Sequence, residues 1–393
     1  MTMESSTVLV IDDQPVVRHT LSLCLNNLGI GQVVQAQDGQ EAKSKYVDYE
    51  FDVIFCDLDM PVEDGFEVLR FLGDQEYQGS VIIISSQEQE VLASTSNLAR
   101  LYDLNIIGCV EKPITFPTVQ CLFNTIQKRA SKKSTTKNLP MLSESELQAA
   151  LQHGRLEAYY QPQLSLSSKK VKGLEILARL FDHNGALIFP DRFIPTAEQS
   201  PSLILAMTKQ IIEFALLDIS NQFEHLSKLT FAFNISGKVL EDRDFPKWLN
   251  RVASKYEIPH EQIVCELTET AISTDQTTID AQMLRLRIMR FKLSIDDFGT
   301  GYSSIAKLHT IPFNELKIDK SFVVDCLSNT KSAAIVEQSI KMAKAMGIEV
   351  VAEGVETEDV EAFLIGSGCG VGQGYLYAKP MPLDSVIELI KQG

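Results

Sequence analysis

Two adjacent aspartates at the end of an apolar run constrain the fold of this chain more than any other feature. The run 293–295 leads into Asp296 and Asp297, and a segment with two glycines and several hydroxyl side chains, 298–304, follows. Neighbouring carboxylates repel each other, so folding alone gives little reason to place them at a strand end. A pair of Mg²⁺ or Mn²⁺ ions would give one, because these ions prefer oxygen ligands. The alternative is a solvated turn that opens a loop.

The length and charge of the chain limit the classes of function. Its 393 residues suggest two or three domains, and its net charge of -16 argues against direct binding to nucleic acid or to anionic membranes. The seven cysteines form no CxxC pair, and we find neither a signal peptide nor an apolar run long enough for a membrane span. We therefore expect a cytoplasmic protein with reduced thiols, in which cations or metal ions are concentrated wherever a phosphorylated substrate binds.

Four short apolar runs in the first third of the chain end in polar residues, and segments with helical spacing, such as 16–28 and 65–72, separate them. Continuous apolar strands that alternate with helices predict a parallel, doubly wound α/β sheet of the flavodoxin-like kind. The carboxyl ends of such strands meet at one edge of the sheet. At that edge we expect Asp12, Asp13, Asp57, Ser85 and Lys112.

This constellation resembles the receiver domain of bacterial response regulators. The matching pieces, within residues 5–128, are Ile11-Asp12-Asp13, Asp57-Leu58-Asp59-Met60-Pro61 with Gly65 downstream, Ser85, and Lys112-Pro113. The resemblance implies that Asp57 accepts a phosphoryl group from a histidine kinase, and that Asp12 and Asp13 help it to hold one Mg²⁺. Ser85 and Lys112 would be the switch residues, Ser85 turning toward the phosphoryl group and Lys112 pairing with it.

One position departs from the receiver pattern. Cys109 stands three residues before the lysine, where the family usually has a Tyr or Phe whose rotation reports phosphorylation. The route and the sign of signalling therefore stay open. The alternative is a receiver fold used only for dimerisation or docking, although all five chemical residues are present.

A basic, polar segment separates the two halves of the chain. Residues 129–142 show no apolar periodicity, and we predict an exposed interdomain linker. Ser143 and Glu146 then form a capping-box pattern that predicts the start of a helix. The second domain, residues 143–393, has the length of about 250 residues that is usual for an eight-stranded α/β barrel.

Apolar runs in the second domain also end in oxygen ligands or a lysine. Five successive runs end at Asn234, Glu266, Asp296 with Asp297, Lys317, and Glu353. Closing these runs into a TIM-barrel-like (β/α)8 domain would bring the side chains together on one face. Such a cup has too few cations to bind a phosphate by itself, and its oxygen ligands favour Mg²⁺ or Mn²⁺ over zinc. Taken singly, Asn234 is also compatible with capping a turn, and Lys317 with facing outward from its strand.

The second domain resembles the EAL-type phosphodiesterases, which hydrolyse cyclic di-GMP, and the whole chain resembles receiver-EAL response regulators. The naming motif stands as Glu175-Ile176-Leu177 followed by Arg179, with Ile176 in place of the usual alanine. The other matches are Tyr160-Gln161-Pro162, Asn234-Ile235-Ser236, Glu266-Leu267-Thr268-Glu269, residues 296–304, Lys317-Ile318-Asp319, Ala352-Glu353-Gly354-Val355-Glu356 and Gln373-Gly374-Tyr375.

The resemblance implies a role for each matched side chain. The implied ligands of two Mg²⁺ or Mn²⁺ ions are Glu175, Asn234, Glu266, Asp296, Asp297 and Glu353. The implied catalytic residues are Lys317, Glu353 and Glu175, with Glu353 the candidate general base. The implied substrate- or water-positioning residues are Gln161, Leu177, Arg179, Asp319, Glu356 and Gln373. Glu269 would brace the loop 298–304 and so hold the paired aspartates in register, the alternative being a helix-capping or solvated carboxylate.

These expectations define one function and one rival. We predict a two-component response regulator that hydrolyses cyclic di-GMP to linear pGpG by a two-metal mechanism, with activity modulated by phosphorylation of Asp57. The rival is a catalytically weak cyclic di-GMP sensor or interaction protein, which should lack a metal ligand or the lysine; this chain lacks neither. No Gly-Gly-Asp-Glu-Phe segment supports cyclase activity, and no helix-turn-helix remains for DNA contact. Both domain families commonly self-associate, so we expect a homo-oligomer.

Overall fold

The strands of the first unit form a parallel sheet, which confirms the prediction from the apolar runs. They are β1 (Thr7–Ile11), β2 (Gln32–Ala36), β3 (Val53–Asp57), β4 (Ser80–Ser85) and β5 (Asn105–Glu111). Their order is β2-β1-β3-β4-β5, and β3 is buried along its whole length, as a central strand covered on both faces should be. The computed structural model describes residues 6–85, 102, 104–133, 141–268, 277–300 and 304–392.

Helices cover both faces of this sheet. Among the described residues they are Pro15–Asn27, Gly39–Asp48, Gly65–Asp74 and Phe116–Lys133. Asp38 and Asp64 cap two of them, because each side chain accepts a hydrogen bond from a backbone N–H group in the first turn. Ile54 and Phe55 are neighbours in β3 yet belong to two separate apolar clusters. Alternate residues of the strand therefore pack against helices on opposite faces.

The second unit is a closed barrel of eight strands with one short strand at its edge, which confirms the predicted TIM-barrel-like fold. The strands are β6 (Leu156–Ser165), β7 (Val171–Phe181), β8 (Leu187–Ile188), β9 (Thr230–Asn234), β10 (Ile263–Thr268), β11 (Lys292–Phe298), β12 (Glu315–Ile318), β13 (Glu349–Ala352) and β14 (Val371–Gly372). Around the ring the order is β6-β14-β13-β12-β11-β10-β9-β7, and β6 pairs with β7 to close it, while β8 extends the edge of β7.

The first barrel strand runs opposite to the others. β6 is antiparallel to both of its neighbours, β7 and β14, whereas the other pairings around the ring are parallel. A tight turn joins β6 directly to β7, with a hydrogen bond of 2.9 Å from Ser165 N to Lys170 O. Parallel neighbours need a crossover, whereas antiparallel neighbours need only a turn. The expected (β/α)8 pattern therefore holds with one strand reversed.

Helices surround the barrel and pack on one continuous apolar core. Those of six or more residues are Glu144–Gln152, Ile194–Gln199, Pro201–Asn221, Phe245–Lys255, Thr277–Ile288, Ser304–Thr310, Lys320–Asp325, Thr330–Ala345, Glu358–Ser367 and Leu383–Gln392. The first of them begins with the predicted capping box, in which Ser143 and Glu146 each accept a hydrogen bond from the backbone N–H of the other.

The contacts of the chain divide it into two units, Met1–Leu139 and Pro140–Gly393. This division falls within the segment 129–142 that the sequence predicts to be a linker. Among the described helices, none combines the length and the apolar character needed to cross a bilayer.

At Gly374 the backbone packs directly against the loop that follows β13. A Cβ atom at this position would lie 2.1 Å from the carbonyl oxygen of Val355 and 2.3 Å from its nitrogen. Hydrogen bonds of 3.0 Å from Val355 N to Gln373 O and from Leu376 N to Val355 O hold the two segments together. Glycine is the residue that fits here without moving either segment.

We predict that Gly374→Ala lowers the free energy of unfolding of the barrel by about 1–3 kcal/mol, because the backbone must shift to admit the methyl group. Gly366 is a matched control, since it lies in the helix Glu358–Ser367 with nothing within 4 Å of the place a Cβ would take. Gly366→Ala should be neutral or stabilising by up to about 1 kcal/mol. Urea unfolding followed by the fluorescence of Trp248, the single tryptophan of the chain, measures both; equal stabilities would contradict the close contact.

Candidate active site

Five of the six predicted metal-ligating side chains lie toward the carboxyl ends of the parallel strands, and the sixth, Glu175, lies in the middle of β7. Asn234 is the last residue of β9, Asp296 and Asp297 lie near the end of β11, and Glu353 directly follows β13. Glu266 of β10 is paired in register with Asn234 of β9. Because parallel strands end at the same edge, these residues reach one region of the barrel.

A buried lysine joins four of the carboxylates. Lys317 has no solvent exposure, so it points into the barrel and not outward from β12. The distances from its Nζ to one carboxylate oxygen are 2.8 Å for Glu353, 3.0 Å for Glu266, 3.1 Å for Asp296 and 3.5 Å for Glu175. Burial alone would lower the pKa of Lys317, but the four carboxylates outweigh it and hold the pKa well above its ordinary value. The ammonium group is therefore charged and fixed between them.

Glu175 is oriented at both of its oxygens. Its Oε1 accepts a hydrogen bond of 2.8 Å from Asn234 Nδ2, and its Oε2 accepts one from Gln373 Nε2. Burial would raise the pKa of Glu175, but Lys317 and these hydrogen bonds lower it below its ordinary value. Glu175 is therefore ionised, and its carboxylate is held in one orientation.

An irregularity in β11 brings the paired aspartates together. The register of β11 against β12 shifts between Ile295 and Phe298, and Asp297 has a φ of 56°, which few residues other than glycine adopt. A regular strand would point successive side chains to opposite faces. Here one oxygen each from Asp296, Asp297 and Glu353 lie within 4.8 Å of one another. The strained backbone thus converts two neighbouring residues into one ligand cluster.

Two of these carboxyl groups have pKa values near neutrality. Burial raises the pKa of Glu353 to about 7, although Lys317 acts to lower it. Burial also raises the pKa of Asp297 to about 6, and repulsion from Asp296 and Asp319 adds to the effect. Both shifts arise because negative charges are crowded in a buried place without enough cations.

The charge and the donor atoms of this cluster fit divalent cations. Counted as ionised, five carboxylates surround or adjoin a single ammonium group, an excess of four negative charges. The five belong to Glu175, Glu266, Asp296, Asp297 and Glu353. Burial, with repulsion from Glu175 and Asp296, also raises the pKa of Glu266 well above its ordinary value, although Lys317 acts to lower it. Glu266 Oε1 is buried and has no hydrogen-bond partner among the described residues, which is costly unless a bound ion uses it. Oxygen donors of this kind are the ligands that Mg²⁺ and Mn²⁺ prefer.

A cavity beside the cluster offers space for a substrate. It has a volume of about 590 Å³ and mostly apolar walls, and Leu177, Arg179 and Asn234 are among the residues that line it. The guanidinium group of Arg179 lies 5.7 Å from the centre of the Tyr159 ring, and Nη1 donates to Ala178 O at 2.8 Å. These contacts hold a cation at the cavity wall, where it can meet an anionic ligand.

The other predicted substrate-positioning residues differ in exposure. Gln161 and Gln373 are buried in the barrel, and Gln373 Nε2 donates to Gln161 Oε1 at 3.1 Å. Asp319 caps the helix that follows β12 and lies close enough to Asp297 to raise its pKa. Glu356 is exposed on the loop after β13. The structure thus brings three of the four to the cluster or its hydrogen-bond network, and places Glu356 at the surface.

Two residues complete the comparison with the sequence-based expectations. Glu269, the predicted brace, lies outside the described residues. Gln163, which belongs to none of the motifs, is buried and donates from Nε2 to Gln373 Oε1 at 3.1 Å. Residues two apart in a strand face the same side, so its spacing from Gln161 in β6 is the signal that could have identified it.

The first unit gathers its own acidic cluster at the carboxyl ends of β1 and β3. Lys112 Nζ lies 2.7 Å from Asp57 Oδ2 and 2.9 Å from Asp12 Oδ2, and both aspartates are buried. One oxygen each from Asp12, Asp13 and Asp57 lie within 4.8 Å of one another. Burial raises the pKa of Asp12, although the hydrogen bond from Lys112 acts to lower it. Three carboxylates against one ammonium fit a single divalent cation.

For the predicted switch residue Ser85, and for Cys109, which departs from the family pattern, the structure describes only the backbone. Ser85 ends β4, and Cys109 lies in β5 beside Ile83 of β4. The side chains of Ser85 and Cys109 fall outside the described part of the structure, so their predicted roles stay predictions.

Comparisons with known proteins match both halves of the chain. The EAL domain matches residues 144–380, and the response regulator receiver domain matches residues 8–122. The cyclic di-GMP phosphodiesterase RocR of Pseudomonas aeruginosa is 29% identical over 98% of this chain and 99% of its own length. The probable cyclic di-GMP phosphodiesterase PdeB of Escherichia coli is 34% identical over 63% of this chain, which spans 46% of that relative. Several other relatives are likewise spanned over less than half of their length.

A solved structure, that of the PaMucR phosphodiesterase in complex with c-di-GMP, resembles the barrel. It covers 62% of this chain and 98% of its own, with a TM-score of 0.59 and 29% sequence identity.

We predict that Mg²⁺ stabilises the barrel more strongly at pH 8 than at pH 6. Glu353 and Asp297, with pKa values of about 7 and about 6, carry protons at low pH that a cation must displace. In metal-free protein these raised pKa values stabilise the fold at low pH, and that contribution is lost as the pH rises through 7.

Thermal unfolding with and without Mg²⁺ at the two pH values measures the effect. The chain carries Asp13→Asn, so that Mg²⁺ binding to the first unit adds little to the change in Tm. An increase in Tm on adding Mg²⁺ that is the same at both pH values would contradict the assignment of these carboxylates to a cation site.

Proposed function

The chain belongs to the EAL domain family and carries a receiver domain ahead of that domain, and on this premise we propose that it is a phosphodiesterase that hydrolyses cyclic di-GMP to linear pGpG. The observation that supports this most is the complete set of carboxylates around Lys317, with every candidate ligand of the family present. A protein that only bound the nucleotide would have little need to crowd five carboxyl groups around one lysine in a buried site.

We propose that the cluster holds two Mg²⁺ or Mn²⁺ ions, because two divalent cations would balance its excess of four negative charges once all five carboxyl groups are ionised. The ligands would be Glu175, Asn234, Glu266, Asp296, Asp297 and Glu353. When bound, such ions polarise the scissile phosphodiester and lower the pKa of a nearby water. Glu269 is proposed to brace the loop that follows the paired aspartates.

The residues of the chain then bind the substrate and move the proton. Water adds to phosphorus and the bond from phosphorus to the 3′ oxygen breaks, which leaves a 5′-phosphorylated linear dinucleotide and a 3′ hydroxyl that takes up a proton. Glu353 is the candidate general base for the attacking water. Lys317 Nζ, 2.8 Å from Glu353 Oε1, is placed to stabilise the negative charge that develops.

Substrate contacts are proposed for residues in and around the apolar cavity. Arg179 would pair with a phosphate or a guanine edge, and Leu177 lines the same wall. Gln161, Gln373, Asp319 and Glu356 would position water or substrate. The assay that tests the function is incubation of the purified full chain with cyclic di-GMP and Mg²⁺, with mass spectrometry of the product. Tight binding without turnover would favour the sensor instead.

We further propose that a histidine kinase phosphorylates Asp57 and that this modulates turnover. The buried Asp57, its contact with Lys112 and the adjacent aspartates support a phosphoacceptor site with one Mg²⁺. Cys109 replaces the aromatic residue that usually transmits the state, so transmission would pass through an altered interface within one chain or between protomers of a homo-oligomer.

We predict that Lys317→Met lowers kcat for cyclic di-GMP by at least about a hundredfold, because the buried carboxylates lose the cation that balances them. The same substitution at Lys341, whose side chain is 63% exposed, is the control and should leave kcat within about twofold. Because four carboxylates contact Lys317, the variant should also unfold at a lower temperature in metal-free buffer. Folding is therefore checked in Mg²⁺, and wild-type turnover by a folded Lys317→Met chain would refute the assignment.

We predict that a small phosphodonor changes wild-type turnover several-fold and leaves Asp57→Asn at its basal rate. Asp59→Asn is the matched control, because Asp59 is exposed two residues away and should leave the response intact. Turnover is measured with and without phosphodonor, alongside detection of the phosphoryl group on the protein. If the wild-type chain is phosphorylated and its rate does not change, the receiver domain serves docking or assembly and does not regulate turnover in this way.

A further inference from the structure

A series of hydrogen-bonded side-chain amides leads to Glu175 inside the barrel. Gln163 Nε2 donates to Gln373 Oε1 at 3.1 Å, and Gln373 Nε2 donates in turn to Gln161 Oε1 at 3.1 Å and to Glu175 Oε2. Gln161 Nε2 donates to Ala378 O at 3.2 Å. The three glutamines and Glu175 are each 8% exposed or less, so water cannot readily replace a lost partner.

The amide of Gln373 has one orientation that satisfies all of these neighbours. A primary amide offers two N–H donors on nitrogen and acceptor positions on oxygen, whereas an ionised carboxylate only accepts. Gln373 must therefore turn Nε2 toward Glu175, which turns Oε1 toward Gln163. With the amide reversed, its oxygen would face the carboxylate of Glu175, and two buried acceptors would meet. Glu175 and Gln161 Oε1 thus set the orientation of the Gln373 amide, and the donor at position 163 holds the amide there by satisfying its Oε1.

The strand opposite Gln163 is shaped to admit its side chain. Gln163 of β6 pairs with Gly173 of β7, two places along from the pairing of Gln161 with Glu175. A Cβ atom at Gly173 would lie 2.7 Å from Gln163 Oε1. Because Gly173 leaves this space open, Gln163 Oε1 lies over it and Nε2 points toward Gln373.

We propose that Gln163 is a positioning residue for hydrolysis: it fixes the amide of Gln373, and through that amide the orientation of Glu175. Without the donor at position 163, the buried Oε1 of Gln373 loses its hydrogen bond from Gln163, so the amide is held at Nε2 and its hydrogen bond to Glu175 loosens. Partners of metal-binding side chains act in this way, and their loss commonly costs about 10–100-fold in activity or metal affinity. The proposal rests on the proposed function, since Glu175 matters to turnover only if the cluster is the hydrolytic site.

The kinetic test uses Gln163→Met in the full chain, which keeps the length of the side chain and removes its donor. We expect kcat to fall about tenfold, the Mg²⁺ concentration at half-maximal activity to rise, and KM for cyclic di-GMP to change less than about threefold. Gln262→Met is the matched control, because Gln262 Nε2 likewise donates from a side-chain amide, to Ser227 O and Leu229 O, just before the start of β10. It should lower Tm without changing kcat.

A double-mutant comparison tests the route through Gln373. If Gln163 acts through that amide, Gln163→Met adds little to Gln373→Leu, and the double variant resembles Gln373→Leu alone. Multiplicative losses of kcat would overturn the proposal, as would a folded Gln163→Met chain with wild-type kcat and Mg²⁺ dependence.

A second readout does not depend on turnover. In deuterated protein carrying ¹⁵N in its glutamine side chains, the Gln373 amide signal is assigned by its loss in Gln373→Leu. Both of its protons should exchange slowly with water in the wild type and faster in Gln163→Met. In Gln262→Met the exchange of the Gln373 amide protons should stay as in the wild type. Unchanged exchange in Gln163→Met would overturn the inference. Absence of cyclic di-GMP hydrolysis by the wild type would overturn the proposed function, and the exchange measurement would still decide whether Gln163 fixes the amide.

Discussion

Lys317 can be buried inside the barrel only because four carboxylates surround its ammonium group, and those carboxylates can be buried only because the ammonium is there. Burying a charge costs several kcal/mol even when it is paired, so this cluster is a poor source of stability. The stability of the unit must come from elsewhere. It comes from the apolar cluster outside the strands, to which Leu316 and Ile318, the neighbours of Lys317 in β12, contribute. The barrel therefore has an apolar layer between strands and helices and a polar interior.

This arrangement explains where the sequence misleads. A lysine between two apolar residues indicates a half-buried strand with one face toward water, and for Lys317 that pattern is equally compatible with an outward orientation. Period-two alternation assigns residues to two faces but does not say which face meets solvent. In β12 helices cover the apolar face, and the other strands of the barrel enclose the polar one. Closure of the barrel, which no local pattern encodes, decides the orientation.

Much of the architecture and of the candidate site was nevertheless predictable, because parallel strands end at a common edge and oxygen ligands at several such ends must meet. The direction of β6 was not predictable, since the sequence pattern of an apolar strand is the same whether the strand is parallel or antiparallel to its neighbours. That reversed strand pairs Gln161 with Glu175 and Gln163 with Gly173. The spacing of Gln163 from Gln161 places both on one face of β6, but no local pattern shows its partner, the amide of Gln373, 210 residues away in sequence. The brace proposed for Glu269 lies outside the described residues.

In both acidic clusters of the chain, the excess of carboxylates over lysines indicates how many divalent cations would balance the charge. In the first unit three carboxylates are opposed by Lys112, so two negative charges remain, which suit one divalent cation. In the barrel five carboxyl groups are opposed by Lys317, so four negative charges remain when all five are ionised, which suit two divalent cations. A phosphoryl group added to Asp57 would bring about one to two further negative charges beside Lys112, and so small a cluster must respond by moving its cations or side chains. Phosphorylation of Asp57 adds no charge to the barrel cluster itself, so a signal from the first unit can reach that cluster only by changing the geometry of the groups that hold its carboxylates.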